Sequence, residues 1–175
     1  MESLDPDRIH YPESDGRPMA DNTVQFRWIV VLKENLDALL PDFVGGDLLW
    51  YPVLGNPKVR VAPDVLVALG RPKGDRGSYR QWEEAHVAPQ VVMEVLSPSN
   101  TVREMFEKLG FFDRYGVSEF YLLDPDEHTL QVFVRSDGGL REVLHEAPSD
   151  GWGRGENVLH PGSNRPPSPL GRGSG

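Results

Sequence analysis

Two carboxylates in this 175-residue chain interrupt segments that are otherwise built for burial. Glu94 stands inside Val91-Val92-Met93-Glu94-Val95-Leu96, and Asp64 follows Pro63 at the head of an apolar run reaching Leu69. An ionised carboxylate in such surroundings is costly unless a cation or hydrogen-bond donors compensate it. Two hard oxygen ligands on neighbouring strands, completed by a main-chain carbonyl such as that of Val95 and by waters, form a shell that Mg²⁺ accepts, with Mn²⁺ as a substitute. That shell leaves positions for a phosphate oxygen. Each acid also has a plainer reading: Glu94 as a strand-end acid that reaches solvent or pairs with an arginine, Asp64 as half of a common Pro-Asp turn.

A third candidate is cationic. At 100° per residue, Lys108 falls beside Met105 and Phe112, on the shoulder of a helical face made by Val102, Met105, Leu109 and Phe112. Its ammonium either snorkels to water or points at the carboxylates. In the second case it orients an attacking water or stabilises charge on a phosphorane-like transition state.

Positioning these three groups requires a particular set of elements. Val24, Trp28, Val31, Leu32, Leu36 and Leu39 recur at spacings of three and four, with Asp21 or Asn22 as N-cap and Pro41 as stop, which predicts an amphipathic helix. Residues 47–51 and 59–69 read as paired strands across the turn Leu54-Gly55-Asn56-Pro57. The nearly continuous apolar run 90–96 suits a strand buried on both faces, interrupted by the one carboxylate of Glu94. Ser97-Pro98-Ser99-Asn100 breaks that strand and caps a second helix over 101–115, ending at Gly116. Strands follow at 119–123, 129–134 and 140–144.

On either side the pattern dissolves. Asp5-Pro6, Tyr11-Pro12, Asp15-Gly16 and Arg17-Pro18 make residues 1–20 a flexible arm. Residues 148–175 hold Gly and Pro with scarcely an apolar side chain, so burial there cannot offset the entropy of ordering, and a disordered tail is expected. One folded domain is therefore expected over 21–147.

Composition narrows the partners. The formal charge is -9 with no cysteine, which excludes a disulfide framework, a zinc-thiolate site and a thiol nucleophile and accords with a reducing, cytoplasmic setting. No run approaches the ~20 apolar residues of a membrane span. Net acidity opposes binding of nucleic acid by charge alone. The one local basic-aromatic cluster is the loop Arg71, Lys73, Arg76 and Arg80 with Tyr79 and Trp82. It is a candidate for DNA phosphate contact and equally readable as a mobile surface loop. The histidines show no metal-site spacing.

Ala62-Pro63-Asp64-Val65, then Pro89 to Ser99, then Lys108, then Asp113-Arg114-Tyr115-Gly116-Val117-Ser118-Glu119-Phe120-Tyr121 and Asp124-Pro125 form an ordered set. As a set it closely resembles the Uma-type family of restriction endonucleases, within the PD-(D/E)XK nuclease superfamily. The resemblance implies an α/β, restriction-endonuclease-like core, a mixed central β-sheet flanked by α-helices. It further implies Mg²⁺-dependent hydrolysis of DNA, with Asp64 and Glu94 as metal ligands. In the superfamily the lysine usually lies two residues after the second acid, a position held here by Leu96. The family resembles the variant in which that lysine has moved to the following helix, so Lys108 inherits the role. A homodimer is compatible with this reading. The alternative from a different class is a catalytically inactive nuclease fold that binds DNA or protein.

Overall fold

The computed structural model describes residues 9–146; the expected 148–175 tail lies outside that range. Helix α1 spans Thr23–Leu39, and its N-cap Asn22 accepts from the amides of Val24 and Gln25 through its side chain, satisfying two of the donors a helix start leaves free. Strand β1 (Phe43–Gly46) follows, then β2 (Trp50–Tyr51), β3 (Val65–Ala68), β4 (Tyr79–Arg80) and β5 (Val91–Val95). Helix α2 (Val102–Arg114) opens on a capping box in which Thr101 and Glu104 satisfy each other's backbone amides, and Gly116, at φ +91°, lets the chain leave it. Strands β6 (Glu119–Asp124), β7 (Thr129–Ser136) and β8 (Gly139–Glu146) complete the order.

Six strands form one mixed sheet in the order β1-β3-β5-β6-β7-β8, with only β5 and β6 parallel. A parallel pair requires a crossover, and α2 supplies it. The core divides across the sheet. On one face, Leu66, Ala68, Val92, Phe112 and Phe120 pack together beneath α2; on the other, Val65, Val67 and Val95 pack with Ile29 of α1. Side chains alternate across a pleated strand, so this division assigns a face to every residue of β3 and β5.

Two details differ from the sequence reading. The helix over 23–39 forms, but it is rotated. Gln25 and Ile29 are its buried residues, with Leu32 and Leu36 packed beside them, whereas Trp28 and Val31 remain 40% and 43% exposed. Apolar residues run almost all round this helix, so hydrophobicity leaves its rotation open, and the side that turns inward is the one where Gln25 also finds hydrogen-bond partners in Asp21 and Val95. The strand pairing also differs. β3 pairs antiparallel with β1, from Phe43↔Ala68 to Gly46↔Val65, while Trp50 and Tyr51 pair with Tyr79 and Arg80 and touch the expected partner segment only at the bridge Trp50↔Val61. Asp47, at φ +45°, ends β1 and turns the chain out of the main sheet, a conformation Asp tolerates better than most residues.

Residues 9–20 hold no helix or strand. Tyr11 is nonetheless buried, 5.2 Å from Tyr51 and 4.9 Å from Trp82 between ring centres, and its hydroxyl accepts from Gly55 N. No helix among the described residues is long and apolar enough to cross a membrane.

Candidate active site

The antiparallel register of β3 and β5 places Val65 opposite Met93, so the next step brings Asp64 level with Glu94. By alternation Asp64 shares a face with Leu66 and Ala68, and Glu94 with Val92. Both acids therefore stand on the α2 face, at the same end of adjacent strands. Lys108 reaches them from α2: its Nζ donates to Glu94 Oε2 at 2.6 Å. The three residues picked out from the sequence thus meet at one point.

Burial sets the electrostatics. The Glu94 side chain is 4% exposed, and burial pushes its carboxyl up to about 8 against the pull of the Lys108 ammonium. Burial likewise raises Asp64 to about 6, although the Val95 amide, donating to Asp64 Oδ2 at 2.7 Å, and Lys108 oppose it. Burial works against the Lys108 charge, but the two carboxylates outweigh it and hold this lysine above its ordinary value. Lys108 is consequently a proton-bearing donor, not a base. Among the described residues one buried side-chain atom stays unsatisfied: Glu94 Oε1 is shut away from solvent with no hydrogen-bond partner. A buried carboxylate oxygen left without a donor is expensive, and a bound cation is one of the few groups that would satisfy it.

The donor set fits a hard divalent cation. Asp64 and Glu94 are the carboxylates, and among the described residues no three His, Asp or Glu side chains converge, so the remaining ligands come from main chain and water. The Val95 carbonyl already accepts from Gln25 Nε2 at 2.7 Å, which leaves it one lone pair.

Gln25 and Asp47 escaped the sequence reading. Gln25 is buried and accepts from Asp21 N at 2.8 Å as well as donating to Val95, tying the start of α1 to the end of β5. Asp21 in turn accepts from the hydroxyls of Ser97 and Ser99, which hold its carboxyl below the usual range. Asp47 extends the β1–β3 register opposite Asp64, and its amide donates to the Asp64 carbonyl at 3.0 Å. Burial raises its carboxyl, and Asp15 adds to the effect. A glutamine on an apolar helix face was the available signal for the first. The second becomes visible only once the strands are aligned.

The basic loop lies elsewhere. Asp64 precedes β3 and Arg71 follows its far end, so the strand's length, roughly 3.3 Å per residue, separates them. Its charges are met within the chain. Arg71 Nε and Arg76 Nε grip the two oxygens of Glu84 at 3.0 and 2.6 Å, Lys73 pairs with Asp37 at 3.1 Å, and Arg80 pairs with Glu83 at 3.3 Å. Tyr79 is fully buried, its hydroxyl donating to the Val87 carbonyl. Because the Glu84 side chain is only 11% exposed, Glu84→Ala leaves two guanidinium groups facing each other and is expected to cost roughly 3 kcal/mol. An unchanged urea midpoint in that variant would show the clamp to be superficial.

The family model described as "Uma2: Putative restriction endonuclease" matches residues 8–162. The chain belongs to the Uma2 family. Among solved structures, it is similar to the crystal structure of "a putative nuclease belonging to DUF820" from Anabaena variabilis ATCC 29413, with a TM-score of 0.50 and 16% identity over 73% of this chain and 67% of that one. At that identity the likeness concerns the fold alone, a six-stranded mixed sheet with two helices. No curated protein matches the chain. Within the Uma2 fold as this chain builds it, Asp64, Glu94 and Lys108 occupy one end of the β3–β5 pair under α2.

Proposed function

We propose that this Uma2 protein is a Mg²⁺-dependent endonuclease that hydrolyses DNA phosphodiester bonds, with Asp64 and Glu94 holding the cation and Lys108 acting beside them. The observation that carries this reading is the unsatisfied Glu94 Oε1, buried on the same face as Asp64, with an ammonium on the companion oxygen. A carboxylate in that state is poised for a ligand. Lewis-acid polarisation of a phosphate oxygen is the chemistry that Mg²⁺ or Mn²⁺ supplies in such a setting.

The residues divide the remaining work. Asp64 is braced by the Val95 amide, so its second oxygen is the free one. Gln25 fixes the Val95 carbonyl from behind, a support that orients a main-chain ligand as outer hydrogen bonds do in metal sites. Lys108, held protonated, donates to the attacking water or to the non-bridging oxygens as negative charge gathers on phosphorus. Hydrolysis forms one P–O bond to the water oxygen and breaks one P–O ester bond. The water loses a proton and the departing oxygen gains one, both through solvent.

The test is metal dependence. Purified protein is expected to nick or cut plasmid DNA with Mg²⁺ or Mn²⁺ and to stop when a chelator is added, and titration calorimetry is expected to register Mn²⁺ binding. A well-folded sample that binds neither ion removes the nuclease reading in favour of an inactive fold that binds DNA or protein.

A further inference from the structure

The acidic chain must still present a surface to a polyanion, and the loop of Arg71 to Arg80 has its charges met by Glu84, Asp37 and Glu83. Another surface keeps its charges free. Lys58, Arg60 and Arg114 enter no ion pair with any described residue, and they line one open groove of about 390 Å³ together with Phe111, Tyr115, Gly110 and Glu107. The single acid there, Glu107, is itself paired with Arg103 at 2.9 Å. Arg114 lies 5.7 Å from the centre of the Tyr115 ring, and Trp50 supports Phe111 and Tyr115 from the core side. The groove is therefore cationic, with an aromatic wall.

Its position connects it to the carboxylates. Phe111 and Tyr115 follow Lys108 by three and seven residues and lie near its side of α2, while Glu107, Gly110 and Arg114 turn roughly 100 to 160° around the helix from it, so the groove runs beside Lys108 on the neighbouring flank. At about 1.5 Å per residue, the groove extends about 10 Å along the helix from Lys108. A strand of duplex DNA carries one charge per about 3.4 Å of axis, so roughly three phosphates separate the far end of the groove from the lysine.

Gly110 supplies an independent observation. It sits inside α2, where glycine is unfavourable by about 1 kcal/mol relative to alanine, and a Cβ added there would meet nothing within 4 Å. Internal packing does not require a glycine at this position. Close approach of a ligand to the helix backbone does explain one.

We infer that this groove, formed by Lys58 and Arg60 on the β2–β3 connection and by the outer flank of α2, is the track for the nucleic-acid backbone that leads a phosphate to Lys108. The inference rests on the nuclease reading for its direction but not for the binding itself. The phosphates pair with the three free cations, and the rings of Phe111 and Tyr115 carry sugar or base contact without sequence preference.

The experiment is fluorescence anisotropy of labelled single-stranded and duplex DNA with the full chain in chelator, across a salt series. The proteins compared are wild type, the triple variant Lys58→Ala/Arg60→Ala/Arg114→Ala, the loop variant Lys73→Ala/Arg80→Ala, and Gly110→Glu, whose added carboxylate enters open space in the groove. The triple variant is expected to lower the slope of log K against log salt by about 2 to 3, as three lost phosphate contacts require, and to weaken binding by roughly 10- to 100-fold at moderate salt. Gly110→Glu is expected to weaken binding in the same direction with an unaltered thermal transition, and the loop variant to bind as wild type does. A triple variant or a Gly110→Glu variant that binds as wild type overturns the groove, as does a wild type that binds no DNA. Binding that depends on the groove in a protein that never cuts with Mg²⁺ supports the track and removes only the nuclease reading. Loss of binding in the loop variant alone moves the interface to the other end of β3 and overturns the inference.

Discussion

Glu94→Gln is expected to reduce Mg²⁺-dependent DNA cleavage by on the order of 10³-fold while the protein stays folded. The substitution keeps the volume of the side chain and removes its charge. Its effect therefore isolates ligation from packing. Among the described residues Glu94 carries the one buried side-chain oxygen without a partner and the direct contact to Lys108, so an amide there removes both the proposed cation ligand and the charge that anchors the ammonium. Lys108, 28% exposed at its side chain, can turn its charge to water when that anchor is gone, which spares the fold the cost of a stranded cation. Cleavage at the wild-type rate by Glu94→Gln would point to a contaminating nuclease and remove Glu94 from the site. The measurement should be paired with Mn²⁺ calorimetry, because lost cutting with intact metal binding would leave Glu94 a role in anchoring Lys108 alone.

The second large effect is a stability that falls as pH rises in the absence of metal and is held up by metal at high pH. Burial raises Asp64 to about 6 and Glu94 to about 8 from ordinary values of 3.8 and 4.5. Between the unfolded and folded values the native state binds more protons than the unfolded chain, so unfolding becomes easier as pH rises. The stability from these protonated acids is fully present below about pH 4 and is lost as pH passes through about 6 and then about 8. Glu84 and Lys108 do not mask this trend. Glu84, lowered chiefly by Arg76, contributes stability above its ordinary value and loses it only in acid; the raised Lys108 matters only in base. In chelator, the melting temperature is thus expected to fall between about pH 5 and pH 8. Excess Mg²⁺, which we propose binds the native state, is expected to restore it at pH 8 and to do little at pH 5, where protons occupy Asp64 and Glu94. A melting temperature that is flat with pH, or a Mg²⁺ effect equal at both values, would show that these carboxylates are neither proton-bound nor metal-bound as described.

The two effects share one origin. An acid held in apolar surroundings is unstable until something positive arrives, and proton, ammonium and divalent cation compete for that place. Such strain at a site, with compensation elsewhere, is a familiar signature of function. Here the compensation includes the Asp21, Ser97 and Gln25 bonds that close the end of β5 against α1, and the packing of Phe112, Phe120 and Val92 beneath α2.

The linear pattern of residues was sufficient for much of this. The run around Glu94, the breaker Ser97-Pro98 and the apolar spacing of 105, 109 and 112 specify a strand, a turn and a helix through local propensity and periodicity, and the chain folds there as those signals demand. A strand-turn-helix unit puts Lys108 on the helix that follows Glu94, but whether its ammonium meets the carboxylate or water was decided by the fold. Contacts set by long-range register were not legible. The alignment of Asp64 with Glu94, and of Asp47 with Asp64, follows from antiparallel pairing of strands that are distant along the chain, and a shift of one residue would have turned every side chain to the opposite face. The rotation of α1 was equally hidden, because apolar residues encircle that helix and the buried side is the one on which Gln25 reaches Val95 and Ile29, Leu32 and Leu36 pack. So too with the cations. Sequence groups Arg71, Lys73, Arg76 and Arg80 because they are neighbours along the chain, whereas folding neutralises them against distant acids and gathers Lys58, Arg60 and Arg114 into a free surface. Propensity acts between near neighbours and charge acts through space, so the elements could be read from the sequence, but the tertiary structure alone decided which charges face one another.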